Sequence, residues 1–153
     1  MKNKIRLGIL GGGGDSLIGI VHRIASSMHD SYEIIGGVFN PDYNENLKFA
    51  EEIGLDKKRI YEDYEKMIEE ELKLDENERI QVVSILTPNF LHYPMAKKLL
   101  ENNFNVICEK PMTTTYAEAK DLENIYKSKN LTFAVTYTSV SYTHLTLPTI
   151  LLV

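Results

Sequence analysis

The chain has 153 residues and a hydrophobic fraction of 43%, which suits one soluble globular domain with a real core. Its 17 basic and 22 acidic residues give a formal charge of -5 and are dispersed, with no basic run to track a phosphate backbone, which argues against a nucleic-acid partner. No stretch reaches the ~18 apolar residues of a membrane span, Met1-Lys2-Asn3-Lys4 leads straight into a strand-like run, and the only cysteine, Cys108, cannot form an internal disulfide, so a cytoplasmic location is expected by default.

Ile5 to Leu10 reads as a first strand, short and apolar, and Gly11-Gly12-Gly13-Gly14 follows at once. Asp15 and Ser16 are candidate N-caps for a helix carrying Leu17, Ile18, Val21, Ile24 and Ala25 on one face. Strand, glycine turn and helix open a dinucleotide-binding unit. A side chain in the turn would hold the backbone away from a pyrophosphate, and the helix N-terminus offers free N–H groups and partial positive charge to the anion. The spacing departs from G-x-G-x-x-G. Gly11 and Gly13 match the first two positions and Ser16 takes the third, which reads as a loop lengthened by three residues, with Gly19 in the helix-packing role. Four glycines after a strand also suit a plain flexible turn.

A second strand, Tyr32 to Phe39, is broken by Asn40-Pro41-Asp42. An acid near this point accepts from the ribose hydroxyls of NAD, whereas a basic or small polar group admits a 2′-phosphate. Asn40 lies nearest and Asp42 follows beyond a proline, so NAD and NADP both stay open, as does a simple turn. Glu45 to Ile53 forms an amphipathic helix stopped at Gly54, and Arg59-Ile60-Tyr61 a short third strand. Asp63 caps a helix from Tyr64 to Leu72. Its Glu65, Glu69, Glu70 and Glu71 point to different faces and read as a solvated face, so no metal is expected. Ile80 to Leu86 is a β-branched run suited to a central strand buried on both sides.

Thr87-Pro88-Asn89 ends that strand, because proline forbids ladder continuation and turns the chain out at the carboxyl edge. Asn89 starts a helix running to about Asn102 with Ala96, Leu99 and Leu100 inward. There Asn89 either caps the helix or serves the site, and His92 either faces solvent or serves the site. The next strand, from Asn105, ends abruptly in Glu109-Lys110-Pro111, which delivers two charged side chains to the edge where open α/β sheets bind ligands. A cation beside a reacting hydroxyl stabilises the developing alkoxide, which makes Lys110 the candidate catalytic group, with Glu109 pairing with it or anchoring it. A surface lysine with a neighbouring counter-charge is the plainer reading. Pro111 sets the direction of the chain, and a cis peptide there is open. A capped helix from Thr115 to about Lys129, with Ala119, Leu122 and Tyr126 inward, and a last strand from Leu131 to Tyr137 complete the series. Six strands alternating with helices predict an α/β fold, a doubly wound, Rossmann-like parallel sheet in the order 3-2-1-4-5-6.

From about Ile5 to Thr138 the chain resembles the Gfo/Idh/MocA oxidoreductases, named for glucose–fructose oxidoreductase and inositol dehydrogenase. The resemblance rests on the glycine loop with Gly19-Ile20-Val21-His22, on Thr87-Pro88-Asn89-Phe90-Leu91-His92, and on Cys108-Glu109-Lys110-Pro111 followed by Glu118-Ala119. It implies hydride transfer between bound NAD or NADP and a hydroxyl of a sugar, inositol or related polyol, by a protein that is a homo-oligomer when complete. Gly11, Gly12, Gly13, Gly14 and Ser16 would surround the pyrophosphate. Asn40, Thr87, Pro88, Asn89, His92 and Glu109 would line the cofactor cleft, with Lys110 beside the nicotinamide and the reacting hydroxyl.

The family continues into a second α/β domain that supplies the substrate pocket, and this chain is expected to lack it. Residues 1–138 are read as the dinucleotide-binding domain. Residues 139–153 are read as a non-native tail, because Val140 to Thr149 resembles one reading frame of a transposase adapter used in making sequencing libraries. A natural β-prone tail is the alternative, and His144 is not nominated as a catalytic residue. Alone, the chain would then be inactive, a binding module without catalysis. A nucleotide-dependent methyltransferase also fits the glycine-rich turn but does not require the Glu-Lys-Pro edge.

Overall fold

Short β-branched runs separated by capped helices leave one economical arrangement, a parallel sheet with crossovers on both faces. The computed structural model describes residues 4–137. Its strands are β1 (Ile5–Gly11), β2 (Tyr32–Val38), β3 (Val82–Leu86), β4 (Asn105–Glu109) and β5 (Phe133–Thr136), all parallel, in the order β2-β1-β3-β4-β5. The helices are α1 (Leu17–Ser27), α2 (Tyr43–Glu52), α3 (Tyr64–Glu71), α4 (His92–Glu101) and α5 (Tyr116–Ser128). Caps set several starts: Ser16, Asp42 and Asp63 accept from first-turn N–H groups, and Thr115 with Glu118 forms a capping box.

The register decides what each face of the sheet carries. Ile9 pairs with Ser84, Ser84 with Ile107, and Glu109 with Thr136, so these residues share one face; Leu10, Val83, Ile85, Val106 and Cys108 take the other. Against that second face lie Met67, Ala96, Leu99, Leu100 and Leu122, all fully buried, and the inward set expected for the fourth helix is found there. On the first face Leu7 and Ile9 join Phe39, Phe49, Ala50 and Ile60 in a smaller core.

Three expectations are corrected. The third strand is absent as a ladder: Lys57–Arg59 forms a single 3-10 turn capped by Asp56, and only one parallel bridge, Gly37 to Ile60, follows. That bridge, with Tyr61 N donating to Gly37 O at 3.2 Å, lies beside β2, where the order 3-2-1-4-5-6 places it, and side chains hold the rest of the segment. Glu71 accepts from Tyr61 Oη at 2.5 Å, Arg59 Nη2 at 2.8 Å and Ile80 N at 2.7 Å. Glu71 is therefore no member of a solvated face; its exposure is 0%, while Glu69 and Glu70 pair with Lys66 and Lys73 in solvent. The third correction concerns α1, whose apolar stripe is largely open, with Leu17 77% and Ile24 59% exposed. The helix instead buries Gly19 and Ser26, and at Gly19 it approaches the glycine loop too closely to admit a larger residue. Residues 139–153 lie outside the described residues. Among the described residues no helix is long and apolar enough to cross a membrane.

Candidate functional site

The carboxyl ends of β1 and β3 sit side by side at the point where strand order reverses, the place an open α/β sheet leaves a crevice. Gly11, Gly12, Gly13 and Gly14 leave β1 there. Gly12 has φ 68°, and a Cβ on it would meet Leu86 Cδ1 at 2.8 Å, so glycine is required both by conformation and by space. Gly13 donates its N–H to Phe39 O at 3.1 Å, tying the loop to the end of β2. Ser16, not Asp15, caps α1 by accepting from Gly19 N at 3.3 Å. A Cβ on Gly19 would lie 1.8 Å from Gly12 O, which gives Gly19 the packing role expected of the lengthened loop. Arg23, one turn further along α1, donates from Nη1 to Gly12 O at 2.6 Å and stacks over the Phe49 ring at 4.9 Å. Sequence reasoning passed over Arg23, although its i+4 spacing from Gly19 was a usable signal.

At the end of β2, Asn40 Oδ1 accepts from Asp42 N at 2.9 Å, and Asp42 Oδ1 accepts from Asn44 N at 2.8 Å and Glu45 N at 3.3 Å. Turn and cap geometry thus occupy these oxygens. Buried Asn46 holds the same corner, accepting from Phe39 N and donating to Tyr61 O, both at 2.8 Å. Nothing in the local spacing singled it out.

Beyond β3, Thr87 and Pro88 turn outward, and Asn89 opens a 3-10 turn without a side-chain cap. His92 does not face solvent. Its ring is 1% exposed, with Nε2 2.8 Å from Thr87 O and Nδ1 2.7 Å from Pro111 O. Each ring nitrogen thus lies against a carbonyl oxygen, of which a neutral imidazole can donate to one, and the ring sits between the two turns and away from the solvent.

Glu109 closes β4 at 6% exposure and accepts from Lys110 N at 3.2 Å and from the Thr136 hydroxyl, with His22 Nε2 3.0 Å away. His22 is backed in turn by Ser84, whose Oγ lies 3.2 Å from Nδ1. Of the two roles foreseen for Glu109, this is the anchor: its carboxylate holds the Lys110 backbone, and among the described residues no hydrogen bond or ion pair engages the Lys110 ammonium, which is exposed. Burial pushes the Glu109 carboxyl up, but the hydrogen bonds from Thr136, His22 and the Lys110 N–H outweigh it and hold the group below the usual carboxylate range. Burial, then the charge of Glu109, pushes the neighbouring Cys108 thiol up to about 12, so the cysteine is inert packing. The Lys110–Pro111 peptide is cis. His22 was quoted only within a motif, and its role depends on a contact across 87 residues that no spacing reveals. Among the described residues no cluster of His, Cys, Asp or Glu has the arrangement of a metal site.

A family model described as the oxidoreductase family with an NAD-binding Rossmann fold matches residues 5–137. The Bacillus subtilis oxidoreductase YfiI is 36% identical over 138 residues, covering 90% of this chain and 35% of the relative. Among solved structures, an oxidoreductase from Pseudomonas syringae superposes with TM-score 0.85 at 36% identity, covering 90% of this chain and 37% of that one. An inositol dehydrogenase homolog from Azotobacter vinelandii, complexed with NADH and myo-inositol, gives TM-score 0.85 at 35% identity, covering 90% and 36%. The chain therefore spans about a third of the length of these relatives.

Proposed function

This chain belongs to the Gfo/Idh/MocA oxidoreductases, a family with an NAD-binding Rossmann fold, and on that footing we propose that it is the cofactor-binding half of a dehydrogenase. The longer protein would move hydride between NAD or NADP and a hydroxyl of a sugar, inositol or related polyol. The observation that carries this reading is that the glycine cradle and the Lys110 turn share one carboxyl edge across the switch point of the sheet. The turn suits a dinucleotide, since Cβ atoms on Gly11, Gly12 and Gly13 would run into Leu86 and Phe39, so that only bare backbone lies flat on the strand ends where α1 begins. When bound, the nicotinamide supplies the redox chemistry.

The chain's own residues divide the remaining work. Gly11 to Gly14 and Ser16 let the backbone approach the pyrophosphate, and Thr87, Pro88 and Asn89 wall the cleft. Lys110 offers its ammonium to the substrate oxygen, stabilising charge as the hydroxyl proton departs. Glu109, fixed by Thr136 and His22, holds the Lys110 backbone in place. The myo-inositol in the Azotobacter vinelandii neighbour supports the polyol class. In isolation the chain binds dinucleotide without turnover, and catalysis belongs to the longer protein.

Titration of this chain with NADH and NADPH, followed by nucleotide fluorescence, tests the binding half of the proposal; no binding of either would refute it. In a longer version carrying the second domain, Lys110→Ala should lower turnover by about a hundredfold or more while cofactor affinity changes less than about threefold. Turnover equal to that of the unsubstituted enzyme would remove Lys110 from the mechanism.

A further inference from the structure

Backbone pairing stops short of the turns that form the site. The last ladder partners are Gly11 with Leu86 between β1 and β3, and Ile85 with Cys108 between β3 and β4. Thr87 and Pro111 lie beyond them, so the sheet alone does not set the distance between these two turns. One side chain does. The His92 ring lies within hydrogen-bond reach of Thr87 O on one side, at 2.8 Å, and of Pro111 O on the other, at 2.7 Å. Thr87 in turn touches the glycine loop, for a Cβ on Gly11 would stand 3.1 Å from Thr87 Cγ2. The ring itself is buried at the start of α4, whose Ala96, Leu99 and Leu100 are locked in the core. A rigid helix thus presents a two-ended bridge to a pair of loops.

We propose that His92 is a positioning residue, which fixes the separation between the glycine-loop edge and the Lys110 turn by bridging the carbonyls of Thr87 and Pro111. The inference rests on the dinucleotide reading of this edge. It assigns His92 no contact with cofactor or substrate. Carbonyl oxygens only accept and a neutral imidazole donates from one nitrogen, so the link depends on that one hydrogen bond together with the contact of the other nitrogen, and not on ring volume alone. An apolar replacement of similar size would fill the space, leave the accepting carbonyl without its donor, and loosen the two turns from one another.

His92→Phe and His92→Met in this chain remove the polar nitrogens and keep the bulk. His92→Gln restores two N–H groups on one nitrogen. We expect both apolar variants to retain the circular dichroism of the parent while binding NADH about tenfold or more weakly, and the Gln variant to return to within about threefold. Amide shifts of Gly12 and Lys110 in 1H–15N spectra should move together in the apolar variants and return in the Gln variant. A folded apolar variant that binds NADH as tightly as the parent would overturn the proposal. So would failure of both apolar variants to fold, which would make His92 a folding residue only, or absence of rescue by Gln. If the unsubstituted chain binds no NADH, the dinucleotide reading falls, and the amide shifts alone decide whether His92 couples the two turns.

Discussion

A carboxylate buried at the end of a strand persists only where donors surround it. Glu109 meets that condition through Thr136, His22 and the Lys110 N–H, which together hold its carboxyl below the usual range despite burial. The linkage has a definite sign. The stabilisation is fully present above the ordinary carboxylate value of about 4.3 and is lost as pH falls through the lowered folded value. Urea denaturation at pH 7 and at successively lower pH should therefore show the parent losing more stability on acidification than Glu109→Gln, whose side chain does not titrate. Equal acid losses would mean that Glu109 is not held in its charged form. That Glu109 and Lys110 stand at the carboxyl edge of the sheet was legible from the abrupt acid-base-proline ending of an apolar run. Which way Glu109 points was not, because its partners come from α1 and β5, 87 and 27 residues away.

At the scale of elements, α3 shows how a carboxylate substitutes for a strand. Glu71 is fully buried and gathers Arg59, Tyr61 and Ile80, so the segment after α2 is held by this carboxylate and by Asn46, with a single bridge to β2. Glu71→Ala would take the acceptor from Tyr61 Oη and Ile80 N and leave the Arg59 guanidinium only Glu78 O, and should cost about 3 kcal/mol, read from the urea midpoint with the slope unchanged. The helices themselves were legible from their caps and periodicity: Asp63 and Thr115 cap where expected, and Glu118 completes a capping box with Thr115. Periodicity failed in two ways. In α3 it placed Glu71 among solvated neighbours, because charge type outweighed position. In α1 it identified which residues share a face, but whether anything covers that face depends on the rest of the molecule.

Across the whole molecule, the parallel sheet and its order followed from alternating strand and helix signals, and the relatives confirm the Rossmann assignment. The site at the carboxyl edge follows from that topology, since the strand-end turns of the first and second halves of the chain come together there. The pairing that makes the meeting is β1 with β3, where Leu7 lies against Val82 with the whole of the first crossover unit between them. Closing so long a loop is entropically slow and comes before any ligand can recognise the seam. Stopped-flow experiments should accordingly find that saturating NADH slows unfolding in proportion to its stabilisation and leaves the refolding rate unchanged. Faster refolding with NADH would place the seam in the folding nucleus. A cofactor that recognises only the finished seam lengthens the life of the native state without hastening its birth.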